Sequence, residues 1–211
     1  MKLFNPLASS CVALLVALSL AACGSLSPRP DPSRFFTLSP ISRTEATAAK
    51  SSAAPGGVSL GIVPVKLPGY LDRNEIVTRV ADNRLDVSAY DRWAEPLVEG
   101  FTWVVAQNLA ALVPADRLVT YPWALDRKPD YQVEIEVLRF EVNAAQNVQL
   151  VARWAVVDGS SKKPPAVRES RLTRQVKSKS TEDSVAALSE TVADLSREIA
   201  DAVRAIDGTK K

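Results

Sequence analysis

Apolar residues recur with two periods along this chain, and the switches between them mark out the elements. Val58, Leu60 and Ile62 alternate with polar or small neighbours, as in a half-buried strand. Pro68-Gly69 breaks that run. Glu75 to Val80 is β-branched, Asp82-Asn83-Arg84 reads as a tight turn, and Leu85, Val87 and Ala89 alternate again, so residues 75–90 are expected to form a hairpin. A short strand is expected earlier, over Arg34 to Leu38, closed by Pro40. From Glu95-Pro96 the period lengthens: Leu97, Phe101, Val104, Val105, Asn108, Leu109 and Leu112 share one helical face, and Pro114 ends it. Arg117 to Tyr121 is a short strand. Tyr131, Val133, Ile135 and Val137 alternate, but Leu138, Phe140 and Val142 continue on the other parity, which predicts a bulge near Val137-Leu138.

Asn143 to Asn147 is a turn, residues 148–157 a strand, and Asp158-Gly159-Ser160-Ser161 a hairpin turn. Residues 166–177 have strand propensity but little apolar content, and Arg168, Glu169, Arg171 and Arg174 suit an edge or solvated strand. Ser180 resembles an N-cap, followed by acids in the first turn. The last helix carries one narrow stripe of Val185, Leu188, Val192, Leu195, Ile199, Ala202, Val203 and Ile206, ended by Gly208. A helix laid on the sheet is preferred to a coiled-coil arm, because the repeat spans only three to four heptads. Strands outnumber helices and do not alternate regularly with them. The expected class is α+β, a single mixed sheet with two long helices packed on it.

The N-terminus reads as an address. Met1-Lys2 is basic, Val12 to Leu20 is apolar and too short to span a bilayer, and Leu20-Ala21-Ala22-Cys23 follows. This LAAC run resembles a bacterial lipobox. It implies a signal peptide over 1–22, acylation of Cys23 and anchoring to a membrane. Gly24, where an Asp would resemble a retention signal, favours the outer membrane and its periplasmic face. Residues 23–33 form a tether, of which Ser25 to Ser33, with Pro28, Pro30 and Pro32 on alternate positions, is an extended spacer of roughly 25–30 Å. The folded domain is expected over 34–208, with a Ser/Thr/Ala-rich mobile loop at 41–57.

Composition narrows the chemistry. The 211 residues carry 26 Lys+Arg against 24 Asp+Glu, so no broad basic field addresses nucleic acid. Histidine is absent, which removes the commonest general base and metal ligand. Cys11 and Cys23 both lie near the N-terminus, so the body has no disulfide framework. Asp72, Glu75, Asp82 and Asp86 could supply an acid/base pair, but Arg73, Arg79 and Arg84 stand beside them, and ion pairs or turn caps are the simpler account. No catalytic residue, metal or cofactor is expected.

The run PVKLPGYLDRNEIVTR, the later RWAEPL and the lipobox together resemble the PqiC family, ABC-type transport auxiliary lipoproteins that accompany MCE-domain lipid transporters. The resemblance covers essentially the whole mature chain and is most specific at Pro68, Tyr70, Leu71, Asp72, Arg73, Ile76, Val77, Arg79, Arg92, Trp93, Ala94, Glu95 and Pro96. It implies a non-enzymatic outer-membrane lipoprotein that docks or collars a periplasm-spanning MCE partner and forms a ring-like homo-oligomer. Pro68, Tyr70, Leu71, Asp72, Arg73, Arg79, Arg92, Trp93, Glu95 and Pro96 are then candidates for the partner interface, although Tyr70 and Trp93, aromatics beside a turn and a helix start, are more simply read as core or lid. The back of the first helix carries Trp103, Ala106 and Ala110 with almost no charge, which points to a cover there, either a loop of the same domain or, the preferred reading, an oligomer interface. The alternative is a monomeric lipid-binding chaperone of the LolB or LptE kind.

Overall fold

The computed structural model describes residues 30–42, 44–45, 58–113, 115–123, 128–159 and 167–208. The chain divides after Pro32 into two units, and the second, Ser33–Lys211, holds the folded domain. The signal peptide, Cys23, the proximal tether, most of the 41–57 loop and most of the turn after Asp158 lie outside the described residues. Eight strands make one mixed sheet: β1 Arg34–Phe36, β2 Val58–Ile62, β3 Glu75–Ala81, β4 Arg84–Trp93, β5 Ala115–Thr120, β6 Tyr131–Asn143, β7 Asn147–Asp158 and β8 Arg168–Gln175. Two helices, α1 Leu97–Leu112 and α2 Thr181–Gly208, complete the α+β domain. Among the described residues no helix is long and apolar enough to cross a membrane.

Strand β6 organises the sheet. One of its edges pairs with β7 along nearly its whole length, and β8 lies antiparallel beyond β7. Its other edge is shared end to end by two parallel strands: β2 over Tyr131–Val133 and β3 over Val142–Asn143. From there the sheet forks, with β5 beside β2 and with β4 and β1 beyond β3. Between the branches the chain stays on the β6 edge as far as Lys66, whose N–H donates to Ile135 and whose carbonyl accepts from Val137. It then leaves through a one-turn 3-10 helix at Gly69–Leu71. The register of β6 against β7 shifts between Val137 and Arg139, the bulge that the change of parity predicts. Tyr131, Val133, Ile135 and Val137 are buried before it, Phe140 and Val142 after it.

Both helices join one core cluster with this buried face of the sheet. Phe101 of α1 meets Phe140 of β6 edge to face, ring centroids 5.1 Å apart. The narrow stripe expected of α2 proves to be broad. Ala187, Ser189, Thr191, Ala193, Ser196 and Ala200 are buried as well. The hydroxyls of Ser189, Thr191 and Ser196 donate one turn back to Val185, Ala187 and Val192, so these small polar side chains enter the core already hydrogen-bonded. Asn108, fully buried on α1, donates Nδ2–H to Ser196 Oγ and accepts the Ile41 N–H at 2.8 Å. The first residues of the expected mobile loop are therefore pinned, Ile41 by Asn108 and Glu45 by Arg197 of α2, and just before the loop the Ser39 N–H donates to Ser189 Oγ.

Gly61, central in β2, is where the outer covering closes on the sheet. A Cβ there would lie 2.5 Å from Pro129 Cγ and 3.1 Å from Trp123, whereas one at Gly69 would meet nothing within 4 Å. Gly61→Ala is expected to cost about 1–3 kcal/mol by overpacking, and Gly69→Ala to stay within about 0.5 kcal/mol of wild type. Urea denaturation of the pair checks this; equal midpoints would refute the closure at Gly61.

Candidate functional site

The 63–74 excursion covers one carboxylate. After the bulge, Glu141 points away from the helices, yet its side chain is fully buried. Tyr70, delivered by the 3-10 turn, donates its hydroxyl to Glu141 Oε2 at 2.6 Å. Arg79 of β3 donates Nε–H to Oε1 at 2.6 Å, and Arg139 approaches the same oxygen at 3.5 Å. The Phe140 N–H adds a fourth contact at 3.0 Å. Arg79 also donates to the Asp82 carbonyl and lies 5.8 Å from the Tyr70 ring centroid. A charge taken out of water is tolerable only when paired and hydrogen-bonded, and these donors meet that need. Burial, then the Glu141 carboxylate, push the Tyr70 phenol up to about 12.

A second cluster joins β1, β4 and the start of α2. Buried Asp91 accepts from Arg34 Nε at 2.7 Å and from the Thr181 hydroxyl. The Arg34 guanidinium holds this carboxyl below its usual range. Ser180 caps α2, its Oγ accepting the Asp183 N–H. The RWAEP run is fixed between these clusters: Trp93 N–H donates to the Asn74 carbonyl and Ala94 N–H to Phe36. Glu95 folds back over α1, its Oε1 3.0 Å from where a Cβ of Gly100 would be.

These placements sort the sequence candidates. Leu71 and Trp93 lie in the core, the place preferred for Trp93, and the half-buried Tyr70 and Arg79 are engaged by Glu141. Asp72, Arg73, Glu95 and Pro96 are exposed, and Pro68 and Arg92 half-buried. Of the expected ion pairs or turn caps, the ion pairs do not form: among the described residues Asp72, Glu75, Asp82 and Asp86 make none, and Arg79 pairs instead with Glu141 on the neighbouring strand β6. Trp103 is half exposed and Ala110 exposed, but Ala106 belongs to the core cluster, which corrects its place in an outward surface. The outward stripe of α1 is Glu99, Trp103, Gln107 and Ala110. Glu141 and Asp91 escaped sequence reasoning. Glu141 sits on the parity that alternation assigns to solvent, and its partners are 62 and 71 residues away.

The described surface has shallow clefts. One of about 270 Å³ lies between the first turns of α2 and the β3–β6 end, with Val80, Asn143, Gln146, Lys179 and Ser184 around it. Another of about 270 Å³, on Val63, Lys66, Glu134, Glu136, Arg153 and Val167, mixes both signs of charge. Both fall just below the ~300–1,000 Å³ typical of small-molecule sites. The first also has Asp86, Ser88, Asp91 and Thr181 on its lining, but Asp91 is already engaged by Arg34 and the Thr181 hydroxyl.

Removing one partner of the buried pair is the sharpest perturbation. Arg79→Met is expected to cost about 3–5 kcal/mol, read by urea denaturation; a change under about 1 kcal/mol would show the pair to be dispensable. Tyr70 gives a pH test. Its folded pKa of about 12 exceeds its ordinary value near 10, so the folded chain holds that proton more tightly. The contribution is complete below pH 10 and lost as pH rises through about 12. The stability gap between wild type and Tyr70→Phe is expected to narrow between those limits; a constant gap would contradict the coupling.

A profile of the ABC-type transport auxiliary lipoprotein component matches residues 36–200. No curated protein matches the chain. Among solved structures, one of an uncharacterized protein superposes with a TM-score of 0.65 at 18% identity, covering 81% of this chain and 98% of its own. A Xanthomonas campestris protein of the DUF330 family superposes with a TM-score of 0.63 at 16% identity, covering 79% and 92%. At such identities the two structures speak for the fold. The profile runs from the end of β1 into the second half of α2, and on that match the chain belongs to the family of ABC-type transport auxiliary lipoproteins.

Proposed function

We propose that this protein is a non-enzymatic lipoprotein, anchored to the periplasmic face of the outer membrane, that docks or collars the periplasm-spanning MCE partner of an intermembrane lipid transport system. The observation that carries the reading is the family match over 36–200 downstream of a lipobox at Cys23. In this reading residues 1–22 are removed, acyl chains on Cys23 hold the protein to the membrane, and the proline-rich 23–33 segment sets the distance to the folded domain. The domain contributes shape rather than chemistry. Its buried carboxylates support this, because Glu141 and Asp91 are saturated by Arg79, Tyr70, Arg34 and Thr181. Several copies form the collar, with the α1 stripe around Trp103 as the self-association surface. The partner meets exposed residues of the turn and helix start, Asp72, Arg73, Glu95 and Pro96.

Affinity purification of the full chain from its native membranes, after mild crosslinking, is expected to recover an MCE-domain protein. A monomer carrying lipid and no such protein would instead favour a lipid-binding chaperone. Cys23→Ser is expected to move the protein from the membrane to the soluble periplasmic fraction; continued acyl labelling of that variant would refute the anchor.

A further inference from the structure

A ring needs two different surfaces on each copy, because head-to-tail contacts join unlike patches. The α1 stripe is one, with Glu99 its only charge and Trp103 half exposed. A second exposed aromatic patch lies at the β1–β4 edge. Phe35 on β1 is 63% exposed and Tyr90 on β4 is 55% exposed. Phe35 is the register partner of Arg92, so the two side chains stand on the same side of the sheet. Arg92 is unusual. Its Nε is buried with no acceptor, and among the described residues it forms no ion pair, although Glu75 stands opposite it in register. Arg92 is half-buried, so a positive charge without a counter-ion among the described residues stands beside Phe35 at this edge.

We propose that the β1–β4 edge, centred on Phe35, Tyr90 and Arg92, receives the α1 stripe of a second copy of this chain. The two patches match in chemistry. One offers an aromatic and a carboxylate on a helix face. The other offers two aromatics and an arginine without an ion-pair partner among the described residues. In the contact, Trp103 packs on Phe35 and Tyr90, and Glu99 of one copy pairs with Arg92 of the next; Trp, Tyr and Arg are the residues on which interface energy concentrates. Because stripe and patch are different residues, an open assembly keeps one stripe free at one end and one patch free at the other, and it grows head to tail until it closes. The inference rests on the proposal that the protein works as a collar of several copies.

The test uses the full chain in detergent, with Trp103→Glu to spoil the stripe and Phe35→Glu to spoil the patch. Mass is read by light scattering, and far-UV circular dichroism checks that each variant is folded. Wild type is expected to be oligomeric and each variant alone monomeric. An equal mixture is expected to double in mass and stop there, since the intact stripe of the Phe35 variant fits the intact patch of the Trp103 variant and no other pair remains. If the folded Phe35 variant assembles like wild type, the patch is wrong while the collar reading stands. If the mixture stays monomeric, the head-to-tail pairing is wrong. A monomeric wild type overturns the collar itself, and this inference with it. Combining Glu99→Arg with Arg92→Glu is expected to restore assembly that each weakens alone; no recovery in a folded double variant would remove that ion pair from the contact.

Discussion

Strand β6 has a single edge left once β7 has taken the other, and two parallel strands have to share it. Backbone N–H and C=O groups along a central strand need partners, so the chain cannot leave that edge idle. It runs β2 along the first part, continues with Lys66, loops out through the 3-10 turn, and returns as β3. The fork of the sheet, the position of Tyr70 and the cover over Glu141 all result from that shared edge.

The cover explains how charge is handled. The bulge at Val137–Arg139 turns Glu141 to the side opposite the helices, where an exposed glutamate would be ordinary. Because the returning chain closes over it, the carboxylate is enclosed and needs Arg79, Arg139 and Tyr70 around it. Such a cluster contributes little net stability compared with apolar packing, but it penalises any arrangement that leaves a charge without its partner. The Asp91 cluster acts likewise where β1, β4 and α2 converge, and it fixes the chain just after the tether.

The helical layer divides its roles. α2 is buried on most sides and ties the domain together through Ser189, Ser196 and Arg197, which hold the segment after β1 and the facing helix. α1 buries two of its flanks, including Ala106 and Asn108, and leaves one stripe to solvent. The buried carboxylates Glu141 and Asp91 are paired inside the fold, whereas Arg92 has no ion pair among the described residues and Phe35, Tyr90 and Trp103 are left to solvent.

Much of this was legible in the residues. Alternation and helical spacing act over a few positions, so the 75–90 hairpin, both helices, the parity change in β6 and the charged edge strand β8 could each be read locally, and their order implied the α+β class. The lipobox and the RWAEP and turn motifs pointed to the family in the same way. The breadth of burial on α2, the inward turn of Ala106, the role of Tyr70 and Arg79, and the enclosure of Glu141 were not legible. Each depends on what packs opposite it, and the partners of Glu141 lie 62 and 71 residues away. The sequence by itself determined the elements, their polarity and the family, because those depend on periodicity and short motifs. Only the tertiary structure decided which charges are spent inside the fold and which aromatics, Phe35, Tyr90 and Trp103, remain outside, because burial is set by the sharing of the β6 edge and the packing of distant segments.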